Sequence, residues 1–278
     1  MMDYRELYPA AEFGRFVRCF WQLEHDGVDA GIERVVPDGC PEIVFNLADP
    51  FEQFAETGRR KQPLSIIVGQ MSRAVTIRPT GRVRLFGVRF QPYGLAGVFD
   101  DAASTISDRI ESVADVFGGA TRELEERIFL AVDFESRRMV FESWLRRRMR
   151  MRAESAQFAV VAAAADAIER SNGGLRIGDV SKFVNANQRS LERAFGRVLG
   201  ISPKAFARIV RIQTVLKSIG GEPAWADLAV AGGFFDQAHF IRDFRALTGV
   251  CPSEFYRESN QMAEYFSGPE SPVVDFLQ

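Results

Sequence analysis

The sequence predicts an α+β fold in two parts: a β-barrel- or sandwich-like N-terminal domain with trailing helices, then an all-α C-terminal domain of seven helices. Three observations carry that expectation. Residues 1–91 alternate short β-branched and aromatic segments with turn residues; from Pro92 the apolar period turns helical; from Ser155 helical stretches are divided by glycines. At 278 residues the chain has the length of two ordinary domains, expected at 1–151 (helical joint 92–151) and 152–258, with a tail over 259–278.

Six strands are expected, over Cys19–Leu23, Arg34–Val36, Glu42–Leu47, Ser65–Val68, Val75–Arg78 and Val83–Phe90. Pro37-Asp38-Gly39, Asp49-Pro50, Gly58, Gly69 and Pro79-Thr80-Gly81 supply the fixed or positive φ that the intervening turns need. In the joint, Leu124, Ile128 and Ala131 share one face, which Met139, Val140, Trp144 and Leu145 continue. The joint closes on an arginine cluster, Arg146–Arg152, read as an exposed helix end and linker, with a DNA-backbone contact as the alternative.

Ser155 is the expected N-cap of a helix reaching about Arg170, stopped by Asn172-Gly173-Gly174. Helices follow over Ile177–Val184 and over Gln188–Leu199, the latter capped by Asn187 and stopped by Gly200. Ser202-Pro203 opens the next, a hydroxyl cap followed by proline at the first helical position, and that helix runs to Ser218. Ala224–Ala231, Asp236–Leu247 and a short turn over Pro252–Tyr256 complete the set; the tail from Ser267 is expected to fray.

Composition narrows the function. Hydrophobic residues are 46% and charged residues 26%, near the globular average, which argues against large-scale disorder. Basic side chains number 35 against 37 acidic, so a polycation that coats nucleic acid is excluded. Cys19, Cys40 and Cys251 are widely spread and form no C-x-x-C pair, which with the lack of a signal-peptide pattern points to a reducing, cytoplasmic location. The longest apolar stretch, around Val160–Ala165, ends at Asp166 and falls far short of a membrane span.

Two places in the C-terminal part show a short helix, a tight turn and a longer helix with polar side chains: Ile177–Phe195 and Leu228–Phe244. That is the helix-turn-helix plan, whose second helix enters the major groove. Leu191, Arg193 and Phe195 parallel Phe240, Arg242 and Phe244: the apolar pair at i and i+4 packs inward and the arginine between them faces out. The long helix Pro203–Ser218 connects the units, and a rigid connector lets one chain reach successive grooves about 34 Å apart.

Over about residues 155–258 the sequence resembles the DNA-binding domain of AraC-type transcriptional regulators. The resemblance is carried by Gly233-Phe234 through Phe240-Ile241-Arg242-Asp243-Phe244 and by Leu247-Thr248-Gly249-Val250-Cys251-Pro252-Ser253-Glu254-Phe255. In the first unit it is carried by Leu191-Glu192-Arg193-Ala194-Phe195 and Gly200-Ile201-Ser202-Pro203. The segments Val36–Asn46 and Gly87-Val88-Arg89-Phe90 are similar to the sensor region of one branch of that family. Two positions depart from the pattern: Phe235 stands where a small or polar residue is usual, with Asp236 as the expected cap, and Ser181 replaces alanine. The resemblance implies double-stranded DNA as partner, a homodimer, a small-molecule effector in the N-terminal domain and contact with RNA polymerase.

The expected base-reading residues are Gln188, Arg189, Glu192 and Arg193 in the first unit and Gln237, His239 and Arg242 in the second. Lys204, Arg208, Asn187 and Arg197 are expected on the DNA backbone. Glu192 fits an outward face by accepting from a cytosine amino group or by pairing with Arg189 or Arg193. Between Leu175 and Lys217 nine basic residues oppose Asp179 and Glu192, a net +7, whereas the second unit is nearly neutral; the first unit is expected to anchor more strongly. Lys217 reads as part of a solvated face.

Enzyme readings are weak. A cupin-like β-domain invites a metal site, but only His25 lies in that region, with His239 the other histidine, so no metal or cofactor is expected. Gly94-Leu95-Ala96-Gly97 lacks the lysine and hydroxyl of a phosphate loop. The expectation is a non-enzyme with Trp21, Phe45 and Phe90 in its core. Two alternatives stay open: a DNA repair, modifying or thiol-sensing protein with a reactive Cys40, and an architectural binder with no effector.

Overall fold

The computed structural model describes residues 2–25, 31–55, 58–149, 156–219 and 224–258. The expected cap Ser155, the cluster's Arg150 and Arg152, and the tail lie outside the described residues.

The N-terminal domain carries two antiparallel sheets. The strands are β1 (Met2–Leu7), β2 (Val17–His25), β3 (Glu33–Val35), β4 (Glu42–Asn46), β5 (Phe51–Ala55), β6 (Gly58–Lys61), β7 (Ser65–Val68), β8 (Val75–Pro79), β9 (Val83–Phe90) and β10 (Ile110–Ser112). Six form a sheet in the order β1-β2-β9-β4-β7-β10, and four form another in the order β3-β8-β5-β6. Sequence reading missed β1, β5, β6 and β10. All four residues of β6, Gly58–Lys61, are exposed, so β6 is held by backbone pairing with β5 rather than by an apolar pattern. β1 and β10 are the edges of the larger sheet, where one-sided pairing weakens the alternation that marks a strand.

Three helices follow: α1 (Val113–Phe117), α2 (Arg122–Leu130) and α3 (Phe134–Met149). Phe20, Phe45 and Phe86 lie on one face of the larger sheet, and Phe141 of α3 meets Phe20 and Phe45 edge-on at 6.1 and 6.2 Å between ring centroids. Each such ring, fully buried, contributes about 1.5–3 kcal/mol. The other face presents Cys19, Trp21, Val44 and Ile66, a smaller cluster that also takes in Val75 of β8. The expected helical face needs two corrections. Ala131 is the residue after α2, its chain already extended, and Met139 is exposed; α3 buries the expected Trp144 and Leu145 together with Phe134, Arg137 and Phe141. A buried arginine hid that face: Arg137 donates to the Gln22 side chain at 3.1 Å and to the Ala131 carbonyl at 2.9 Å.

The C-terminal domain comprises α4 (Ala156–Arg170), α5 (Ile177–Phe183), α6 (Gln188–Val198), α7 (Pro203–Lys217), α8 (Trp225–Ala231) and α9 (Gln237–Thr248), with a further helical segment over 252–258. One hydrophobic core runs through all of it, from Ile168 and Leu191 through Ile209 and Ile212 to Phe240 and Phe244. Phe16 and Tyr93 of the N-terminal domain belong to the same core, and both rings touch Phe158 of α4.

The two domains are therefore docked. The Gln213 side chain donates to the Pro37 carbonyl at 2.7 Å, and Arg18 pairs with Glu169 at 2.8 Å. At Gly39, φ is +85° and a Cβ would stand 2.9 Å from the Phe206 ring, so the β-domain turn can lie on α7 only as glycine.

Candidate nucleic-acid interface

The first unit is α5, a turn and α6. Asn187 caps α6, its side-chain oxygen accepting from the Ser190 N–H at 2.8 Å. Leu191 and Phe195 are fully buried, which turns Gln188, Arg189, Glu192, Arg193 and Arg197 to solvent. Glu192 accepts from the Gln188 amide at 3.1 Å; the described partner is a glutamine, not Arg189 or Arg193. Arg193 is left with a long 3.4 Å contact to the Ser190 hydroxyl.

The second unit is α8, a turn and α9. Asp236 caps α9 as expected, accepting from the His239 N–H at 2.6 Å. Phe240 and Phe244 are buried, and Gln237 and Arg242 are exposed. His239 is only half-exposed: its Nε2 lies 3.3 Å from the Asp243 carboxylate and its ring lies edge-on to Phe234. Arg211 of α7 sits over the same Phe234 ring at 5.1 Å and 3.9 Å from Asp243. Phe235, one residue before the cap, is 92% exposed.

On α7, Ser202 caps the helix at the Ala205 N–H, 3.2 Å away; Lys204 is exposed in the first turn and Arg208 is half-buried. Two members of the basic group are thus committed elsewhere. Arg211 is turned toward the second unit, and Lys217, read as solvated, lines a cleft against the N-terminal domain. Arg146 and Arg148 of the other basic cluster pair with Glu12 and Asp100, and Arg148 lies over the Phe117 ring at 4.9 Å.

The C-terminal ends of α6 and α9 are both anchored to the N-terminal domain. After α6, the Ser107 hydroxyl donates to the Gly200 carbonyl at 2.8 Å. At the end of α9, the Ala74 N–H donates to the Leu247 carbonyl at 2.6 Å and Arg34 to the Thr248 carbonyl at 3.1 Å. No sequence signal pointed to these contacts.

Within the β-domain, Arg89 and Glu42 form a buried ion pair at 2.6 Å, with Asp38 3.4 Å from the same guanidinium. Burial outweighs the arginine and holds the Glu42 carboxyl above its ordinary value; the two carboxylates keep Arg89 cationic. Burial pushes the Cys19 thiol up to about 12 and the Cys40 thiol higher still, the opposite of what a reactive thiolate needs.

Two helix-turn-helix units on one connector define a DNA-binding domain of the class found in transcription regulators. Residues 180–258 match the helix-turn-helix domain family. Residues 5–112 match a domain of unknown function, DUF6597. No curated protein matches the chain. Among solved structures, ToxT from Vibrio cholerae is 9% identical over 92% of this chain and 97% of its own, with a TM-score of 0.46. A ToxT structure with unsaturated fatty acid bound is 10% identical over 92% and 94%, with a TM-score of 0.43. The AraC-like transcriptional activator CuxR is 14% identical over 79% and 87%, with a TM-score of 0.27. No described helix is long and apolar enough to cross a membrane.

Proposed function

We infer that the protein is a sequence-specific transcription regulator that reads two successive major grooves with α6 and α9 and answers to a small effector held by its N-terminal domain. One observation carries the reading: two capped helices share one core and each turns a polar face, Gln188, Arg189, Glu192 and Arg193 or Gln237 and Arg242, to solvent. His239 joins that face only if its contact with Asp243 opens; otherwise it orients α9. Lys204, Arg208, Asn187 and Arg197 take the flanking phosphates. The division falls at 151/152, with the N-terminal domain non-catalytic. Phe129, Leu130, Val132 and Met139, on α2, α3 and the turn between them, are exposed apolar side chains that a second copy of the chain would cover.

Binding-site selection from random duplexes with the full chain tests this reading. The expected result is a site of two short elements centred about 10 bp apart, with affinity falling steeply as salt rises. Absence of an enriched sequence, or binding indifferent to salt, overturns it.

A further inference from the structure

Phe235, in the turn between α8 and α9, is 92% exposed, the most exposed of the large apolar side chains among the described residues. The turn holds it there. Gly233 takes a φ of +72°, the Phe234 N–H donates back to the Ala229 carbonyl at 3.0 Å, and Asp236 is extended at φ −153° and ψ 170°. Where the chain straightens into the cap, neighbouring side chains point opposite ways. Phe234 turns into the core against Phe240 and His239, and Phe235 turns out. The ring stands one residue before the cap and two before Gln237, at the N-terminal end of α9. In a helix-turn-helix that end of the second helix meets the base edges. The first unit has Ala186 in the matching place, one before its cap Asn187, so only the second unit carries a ring there.

We propose that Phe235 is a specificity-determining residue of the second unit, its ring covering the C5-methyl group of one thymine in the groove that α9 reads. The proposal rests on the regulator reading above. A phenyl ring has no donor for a phosphate. In the major groove the base edges present donors and acceptors, and the apolar group among them is the thymine methyl. The second unit has little else to hold it: between Ala224 and Thr248, Arg242 and Arg245 stand against Asp227, Asp236 and Asp243. Phosphate attraction is correspondingly weak there, and an apolar contact adds discrimination that does not depend on charge. The position of the thymine follows from the helix. Arg242 lies five residues beyond Gln237, about 7.5 Å along the axis or roughly two base-pair steps, so the thymine is expected within about three base pairs of the pair that Arg242 reads.

The test is a chemical double-mutant cycle with the full chain on the duplex that site selection yields. Each thymine is replaced singly by deoxyuridine, which keeps every hydrogen-bonding group and removes only the methyl. The expected result is one thymine, close to the base pair relaxed in Arg242→Ala, whose replacement weakens binding by the parent about fourfold. In Phe235→Ser the same replacement changes affinity by less than about 1.5-fold, while Phe235→Leu, which keeps an apolar side chain, retains most of the loss. Thymines of the element read by α6 respond alike in parent and variants. Because the ring is exposed, Phe235→Ser should keep its Tm within about 1 °C of the parent. The proposal falls if the α9 element holds no thymine, if Phe235→Ser binds as the parent does, or if it weakens every duplex equally with no thymine coupled to it. It also falls if sedimentation shows that Phe235→Ser changes self-association and nothing else. An enriched site without a coupled thymine sinks only the role of Phe235, whereas the absence of any enriched site sinks the regulator.

Discussion

Arg193 and Arg242 occupy corresponding places on the two reading helices, each between a buried apolar pair. A guanidinium there can grip guanine with two parallel hydrogen bonds. Arg193→Ala or Arg242→Ala should therefore cost about 1–3 kcal/mol and relax preference at one base pair. Lys204→Ala and Arg208→Ala should weaken all sequences about equally; site selection on the four variants tells the classes apart, and connector variants with altered preference would overturn the assignment. The thiols give a second, independent check. Cys19 and Cys40 are buried with raised pKa values, so at pH 8 both stay protonated, whereas Ser253 lowers the Cys251 thiol and leaves it more ionised. Titration of the native protein with an aromatic disulfide at pH 8 should show one fast thiol, absent in Cys251→Ser; a fast Cys40 would revive the thiol-sensing alternative. Residue roles were legible where local pattern decides them, as with the Asp236 cap. They were not where a distant partner decides: nothing near Lys217 in sequence announces Arg18 and Asp38, and nothing near Arg211 announces Phe234.

At the scale of elements, the caps position the reading faces. Asn187 satisfies an orphan amide of α6, and Asn187→Ala should destabilise the protein by about 1 kcal/mol, read by urea unfolding, without changing which bases are preferred. The sheets hold their own test in β4 and β9, which are cross-linked by Glu42 and Arg89. Arg89→Met strands a buried carboxylate and should cost about 3–5 kcal/mol, whereas Glu42→Leu with Arg89→Met should recover much of that loss. A double variant as unstable as the single one would mean that Asp38, not Glu42, is the partner that matters. The helices of the C-terminal domain could be read from sequence nearly to the residue, because glycine stops and hydroxyl or amide caps are local chemistry. Strands β5 and β6 could not, because their pairing is set by backbone register across a hairpin and β6 buries no side chain.

For the whole molecule, two domains were foreseen but their docking was not. Arg34 and Thr248 are 214 residues apart, and Gln213 and Pro37 are 176 apart, separations at which a single sequence carries no pattern. Yet these contacts help to set how the two units are held relative to the N-terminal domain. The N-terminal domain holds the end of α6 through Ser107 and the end of α9 through Ala74 and Arg34, so it clamps both units at a fixed spacing in addition to the α7 connector. A clamped pair should tolerate little change in the distance between the two sequence elements of its site. Inserting 2 bp rotates one element by about a fifth of a helical turn, and the unmutated protein should lose at least about tenfold in affinity for the lengthened site. Arg34→Ala combined with Ser107→Ala frees one end of each reading helix and should shrink that penalty severalfold, with binding to the natural spacing reduced less. The measurement is a pair of titrations per protein on the two duplexes at one salt concentration. If the double variant keeps the full penalty, the spacing is set by α7 alone and the N-terminal domain does not act as a clamp.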